Sequence, residues 1–230
     1  MGSLGGQAAI AGIGATEFSK ASGRSELQLS VEAIQHALAD AGLSASDVDG
    51  LTTFTMDTSS EIAVARELGL PELRFFSRIN FGGGAACATV QQAAMAVATG
   101  VADVVVAYRG FNERSESRFG QFSVAAATQV NTNGLDNAWS YPFGLGTPAA
   151  TVAMQARRYM HEYGATSADF GAVAVADRRH AATNPNAFFY EKPITIEDHQ
   201  SSRMIVDPLH LLDCCQESDG AQAIVVVSAE

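Results

Sequence analysis

The chain has 230 residues, 47% of them hydrophobic, with a formal charge of -11 and a pI near 4.8. That balance excludes a nucleic-acid-binding surface of clustered Lys and Arg, and no apolar run approaches the roughly 20 residues that span a bilayer. Three cysteines, Cys87 and the adjacent Cys214 and Cys215, make no disulfide framework, which fits a reducing cytoplasm.

Residues 1–6 read as a flexible leader with no signal-peptide character. Residues 8–13, a short apolar run closed by glycine, read as a buried strand. Residues 25–41 place Leu27, Val31, Ile34, Ala37, Leu38 and Ala41 at the spacing of an amphipathic helix, stopped at Gly42. A Thr-rich strand follows over 48–55. Residues 60–68 form a second helix, capped by Ser59 or Ser60 and ended by Gly69 and Pro71. Residues 74–81 are a third strand, 85–99 a third helix and 103–108 a fourth strand. The third helix is apolar around most of its circumference (Ala85, Ala86, Val90, Ala93, Met95, Val97), which predicts burial on all sides.

Beyond Gly110 the pattern changes. Residues 111–137 are polar and aperiodic, a surface excursion; 147–162 and 170–182 are helices, the latter opened by Thr166 to Asp169; 181–208 reads as loop; and 221–227 is a final apolar strand. Strands alternating with helices predict right-handed βαβ units. The expected fold is α/β: a mixed, mostly parallel five-stranded sheet with helices on both faces and an inserted loop domain. The lobe takes residues 7–110, the insertion 111–218 and the last strand 219–230. An insertion of this size on a rigid scaffold carries function.

Chemistry concentrates at Asn80, Phe81, Gly82, Gly83 and Gly84, between the third strand and the third helix. The glycines allow a tight turn and close helix–sheet packing. Equally, the amides of Gly83 and Gly84 at a helix amino terminus can polarise a thioester oxygen. Five histidines (His36, His161, His180, His199, His210) show no metal-ligand spacing, so no metal is expected. Gly12 and Gly14 lack the third glycine of a dinucleotide fingerprint. Asp219 and Gly220 read as a turn. Arg157, Arg158, Lys192 and Arg203 are available to CoA phosphates, though most such charges are solvated; Arg203 is carried forward.

Several segments together resemble the thiolase superfamily: Gly12 to Thr16, Ala41 to Asp49, Gly100 to Val106, and Ser218 to Val227. Ala156 to Gly164, Asn184 to Ala187 and Asp207 to Leu209 resemble its sterol-carrier-protein-X branch, which includes lipid-transfer-type enzymes and bacterial steroid side-chain aldolases. The resemblance covers nearly the whole chain but only the first of the family's two lobes. The Gly-His-Pro and Cys-x-Gly-Gly elements of the second lobe do not occur, so a larger protein is expected, with the third helix packed against another lobe or subunit.

Thiolases carry their nucleophilic cysteine three residues after the asparagine, where this chain has Gly83. Thiolysis needs a thiolate there. Cys87 lies one helical turn further on and reads as a packing residue. By resemblance, Leu145 stands where thiolases carry His-Met-Gly-Thr and lines the acyl pocket, and Cys215 stands near the pantetheine arm, against the alternative of a small buried thiol.

A scaffold of this kind without its cysteine can run a retro-aldol cleavage. The β-hydroxyl loses its proton, the Cα–Cβ bond breaks, a ketone or aldehyde leaves, and an acyl-CoA enolate remains to be protonated. The resemblance implies a β-hydroxyacyl-CoA lyase acting on a steroid side-chain CoA thioester. It also implies no cofactor beyond the CoA of the substrate, a homodimer paired through strand 74–81, and a small OB-fold/zinc-ribbon acyl-CoA-associated partner. The general base is expected in the second lobe. The alternatives are a non-catalytic acyl-CoA or lipid carrier, and a thiolase using Cys87.

Overall fold

A computed structural model describes residues 5–54, 57–80, 86–116, 118, 120 and 138–229. The glycine turn, most of the polar excursion and the first four residues of the leader lie outside them. The chain divides into two compact units, Met1–Glu116 with Ser218–Glu230, and Ser117–Glu217.

The first unit is a five-stranded sheet: β1 (Ala8–Ala15), β2 (Gly50–Phe54), β3 (Phe75–Ile79), β4 (Val104–Asn112) and β7 (Asp219–Ser228), in the order β1-β7-β4-β2-β3. β3, β2 and β4 pair in parallel, while β7 runs antiparallel between β4 and β1, so four of the five strands point one way. The parallel crossovers are α2 (Glu61–Leu68) and α3 (Cys87–Ala98); α1 (Glu26–Ala41) links β1 to β2. All five strands read from the sequence are present.

Local chemistry explains the helix ends. Ser25 accepts from the Gln28 amide at 3.2 Å while Gln28 Oε1 accepts from the Ser25 amide at 2.9 Å, a reciprocal cap that satisfies two otherwise open donors. Ser60 caps α2 through the Ala63 amide. α1 buries Leu29, Ala33, Ile34, Ala37 and Leu38 against Val106, Tyr108, Ala223 and Val225, each large side chain contributing about 1.5–3 kcal/mol. Its backbone lies almost on β1: a Cβ on Gly14 would stand 2.2 Å from the Ala33 carbonyl oxygen.

α3 covers the opposite face with Ala93, Ala96 and Val97 against Val105 and Val226. Burial on all sides is not what this unit shows. Cys87, Gln91 and Met95 are exposed, because the sheet covers one stripe of the helix.

The second unit carries α4 (Pro148–Tyr163), α5 (Ser167–Thr183), α6 (Ile196–Ser201) and a small antiparallel pair, β5 (Met204–Val206) with β6 (Leu209–His210). α6 and β5 lie within 181–208, where the sequence reads as loop. Ala153, Ala156 and Leu209 form its small core with Phe170 and Val206. A buried polar frame does the rest. His199 Nε2 lies 2.7 Å from Asp213 Oδ1, the Gln200 side-chain amide donates to His199 Nδ1 at 2.9 Å, and the His210 amide donates to Asp213 Oδ2 at 2.7 Å. Because Gln200 donates, the imidazole accepts at Nδ1 and donates its Nε2 proton to Asp213. Gly171 admits this ring: a Cβ there would stand 2.7 Å from His199 Nδ1.

Candidate active site

Parallel α/β sheets take ligands beyond the carboxyl ends of their strands. Phe54 on β2 lies opposite Ile79 on β3, and Thr52 lies opposite Ala107 on β4. Continuing that register puts Arg109 in the row of Phe54 and Ile79. Strand β3 ends at Ile79, Asn80 follows, and α3 resumes at Cys87. The turn between them, with Gly83 and Gly84, lies outside the described residues.

Charged side chains gather at this strand end. Asp57 is 2% exposed. Thr53 Oγ1 donates to its Oδ2 at 2.9 Å, and its own amide donates to the Phe54 carbonyl at 3.0 Å. Its other oxygen faces Arg109 Nε at 3.2 Å but accepts no aligned hydrogen bond. The Arg109 guanidinium lies 4.9 Å from the Phe54 ring centroid and 5.8 Å from that of Phe111. Beside this pair, Arg78 holds Glu61 through two contacts of 3.1 Å. Tyr108 donates its hydroxyl to the Ser59 carbonyl at 3.1 Å; burial, reinforced by the Glu61 charge, pushes the phenol well above its usual range, so it keeps its proton.

Burial raises the Asp57 carboxyl to about 6, against the Thr53 hydrogen bond and the Arg109 charge, which favour ionisation. The folded state therefore holds that proton to a higher pH than the unfolded chain does, and the carboxyl is ionised at neutral pH. The held proton stabilises the fold fully below the unfolded value near 4, and its contribution is lost as pH rises through about 6. Asp57→Asn is expected to gain stability relative to wild type as pH rises from 4 to 7.5, because only the wild type loses the contribution of the neutral acid over that range. Urea midpoints of both proteins at the two pH values check this; a difference independent of pH would sink it.

Leu145, Arg203 and Cys215 all belong to the second unit. Leu145 is half-buried after a turn at Tyr141–Phe143, its amide donating to the Ser140 carbonyl at 3.1 Å. Arg203 is exposed, and its carbonyl accepts from the Leu211 amide at 2.8 Å. Cys215 is exposed, so a small buried thiol is not its role, whereas Cys214 is half-buried with its thiol 3.6 Å from the His210 carbonyl. Burial, then the Asp213 charge, pushes the Cys214 thiol up. Arg203 and Cys215 thus hang on one frame braced by His199, His210 and Asp213; Leu145 is carried separately, ahead of α4.

Two readings of individual residues need correction. Cys87 is exposed at the first residue of α3 rather than packed inside, because that turn of the helix faces away from the sheet. Asp219 opens strand β7 rather than shaping a turn. Its buried carboxylate accepts from the amides of Arg114 (2.9 Å), Ser115 (3.0 Å) and Ser22 (3.0 Å). Sequence reasoning missed the Asp57–Arg109 pair altogether. The only sequence signal was an Asp just past one strand and an Arg within another, both reading as surface charges.

The lobe is a mixed α/β sheet whose parallel strands β3, β2 and β4 are joined by the helical crossovers α2 and α3. The thiolase N-terminal domain matches residues 8–230, and the chain belongs to the thiolase family. It is 73% identical over 226 residues to 17-hydroxy-3-oxo-4-pregnene-20-carboxyl-CoA lyase of Mycobacterium tuberculosis, covering 98% of this chain and 58% of that protein. To the steroid side-chain-cleaving aldolase of Thermomonospora curvata it is 70% identical over 230 residues, covering 100% of this chain and 59% of that protein. The solved Ltp2-ChsH2(DUF35) aldolase superposes with a TM-score of 0.91 at 69% identity, over 98% of this chain and 56% of that one. The chain thus spans less than two thirds of the length of these relatives.

Proposed function

We propose that this chain supplies the N-terminal lobe of a thiolase-like lyase that cleaves a β-hydroxyacyl-CoA, a steroid side-chain thioester, by retro-aldol reaction. The observation that carries this reading is the identity of 73% and 70% to two enzymes named for such cleavage. Gly83 supports it, since the position of the thiolase nucleophile has no side chain to acylate. In this reading the amides of Gly83 and Gly84 receive the thioester oxygen as negative charge develops on it. Leu145 lines the acyl pocket, Cys215 meets the pantetheine arm and Arg203 a CoA phosphate. CoA enters as part of the substrate, and no other cofactor takes part. The general base belongs to the part of the enzyme outside this chain.

The edge strand β3, with Phe76 61% exposed, supports homodimerisation through that strand. The partner we propose is a small OB-fold/zinc-ribbon protein of the DUF35 kind, supported by the composition of the Ltp2-ChsH2(DUF35) aldolase. None of the described helices is long and apolar enough to cross a membrane, and we place the enzyme in the cytoplasm.

The test is incubation of the full-length enzyme and its partner with 17-hydroxy-3-oxo-4-pregnene-20-carboxyl-CoA, followed by mass spectrometry. A 17-ketosteroid and a short acyl-CoA are expected, and their absence would overturn the reading. Exposure of Cys87 favours one rival, a thiolase using that thiol. Cys87→Ser decides between them: cleavage within about twofold of wild type supports the lyase, while a loss of about 10³ or more supports a cysteine nucleophile.

A further inference from the structure

Arg109 has features that packing alone leaves unaccounted for. Its Nε faces a carboxylate that is itself wholly buried, and its guanidinium lies over two aromatic rings. These contacts fix the plane of the fork. The two terminal nitrogens nevertheless have no hydrogen-bond partner among the described residues, and 36% of the side chain remains accessible. A pre-oriented, partly accessible guanidinium with unused donors is suited to an oxyanion.

Its placement adds the second observation. Continued two residues beyond the Thr52–Ala107 pair, the parallel register puts Arg109 in the row of Phe54 and Ile79. Ser77, two residues before Ile79, reaches Gln92 of α3, and Thr52, two before Phe54, donates to the Thr89 carbonyl of α3. All three row members therefore share the face that α3 covers. Arg109 stands two strand spacings, about 10 Å, from Ile79, where the chain leaves the sheet for the glycine turn.

We propose that Arg109 is an oxyanion-recognising side chain of this strand-end site, held in place by Asp57, and that its ligand is the thioester oxygen of the acyl-CoA. The inference rests on the lyase reading above. As the Cα–Cβ bond breaks, its electron pair passes toward the thioester carbonyl, and the resulting enolate oxygen carries more charge than the ester did. A guanidinium fork then binds the transition state more tightly than the ground state, which lowers the barrier instead of merely tightening binding. Asp57 acts as a positioning residue: its charge keeps the fork oriented without touching substrate. The aromatic rings exclude water from the guanidinium faces and raise the strength of the remaining contact.

The test uses the full-length enzyme with its partner protein. Arg109→Gln is expected to lower kcat about 100-fold with KM changed less than about threefold. Arg109→Lys keeps the charge but loses the fork, and is expected to recover part of the rate. It also carries the test if the glutamine variant fails to fold. An unchanged kcat in a folded variant overturns the inference while leaving the lyase reading intact. A raised KM at constant kcat, absent with a pantetheine thioester that lacks the nucleotide phosphates, assigns Arg109 to a phosphate and overturns it as well. Should the wild-type enzyme cleave no such thioester, the lyase reading fails. The inference, which concerns the transition state of that cleavage, is then overturned together with it.

Discussion

Asp219→Asn is expected to destabilise the α/β unit by about 1–3 kcal/mol at neutral pH. The wild-type carboxylate is fully buried, yet it accepts three backbone amides and its own main chain pairs twice with Ser19. Burial opposes its charge, but the hydrogen bonds from Ser115, Ser22 and Arg114 outweigh that opposition and hold the carboxyl below its usual range. An asparagine turns an NH2 toward at least one of those amides and leaves donor facing donor. A depressed carboxylate pKa stabilises the fold above the unfolded value near 4, and the contribution disappears as pH falls through the folded value. Urea unfolding should therefore show the full deficit of Asp219→Asn at pH 7 and a shrinking one below pH 4. Equal midpoints at pH 7 would refute this account of the residue.

Gly14→Ala is expected to do comparable damage by steric means alone. The added methyl would meet the Ala33 carbonyl oxygen at 2.2 Å and the Ala37 nitrogen at 2.3 Å, both backbone atoms of α1. Neither can swing aside as a side-chain end could. α1 must lift from β1, opening the packing of Ala33, Ala37 and their neighbours. A loss of about 3 kcal/mol or more follows from overpacking at a site with no free volume. Thermal melting checks it, and a variant melting within about 2 °C of wild type would rule out so close an approach.

The scaffold was legible because its signals are local. Residues 8–13 form a continuous apolar run, and the strand there extends over Ala8–Ala15, although it is an edge strand with Ile10 and Ile13 exposed and not the buried strand the run suggests. The first helix, read over 25–41, begins at Glu26 with Ser25 as its cap, and of the two serines offered for the second, Ser60 is the cap. The second unit was read less well for a related reason. α6 is six residues long and its Ile-Glu-Asp-His-Gln-Ser run has no apolar stripe. Its stability comes from a polar frame in which His199, 0% exposed, is paired with Asp213, and hydropathy contains no trace of such a pairing.

The candidate site divides along the same line. The glycine turn was visible as a motif, since its residues are consecutive. Asp57 and Arg109 were not, because their meeting depends on how β2 registers against β4. Each alone is an ordinary charged residue. The same is true of Asp219, whose role depends on amides brought from three other places in the chain.

Strand β7 is read last but sits second in the sheet, hydrogen-bonded to β4 along nine consecutive residues from Val104 to Asn112. The Arg114–Asp219 contact that closes this ladder joins positions 105 residues apart. Bringing such distant ends together costs about 2 kcal/mol more than closing a ten-residue loop. β1 can join the sheet only through β7, so it waits on the same event. The parallel β2–β3–β4 core and its helices are encoded in the first half of the chain and are available to form earlier. During synthesis the row containing Phe54 and Arg109 can therefore assemble before the sheet acquires its far edge. Until the insertion has been made and folded, one side of β4 remains an open template for pairing with another chain.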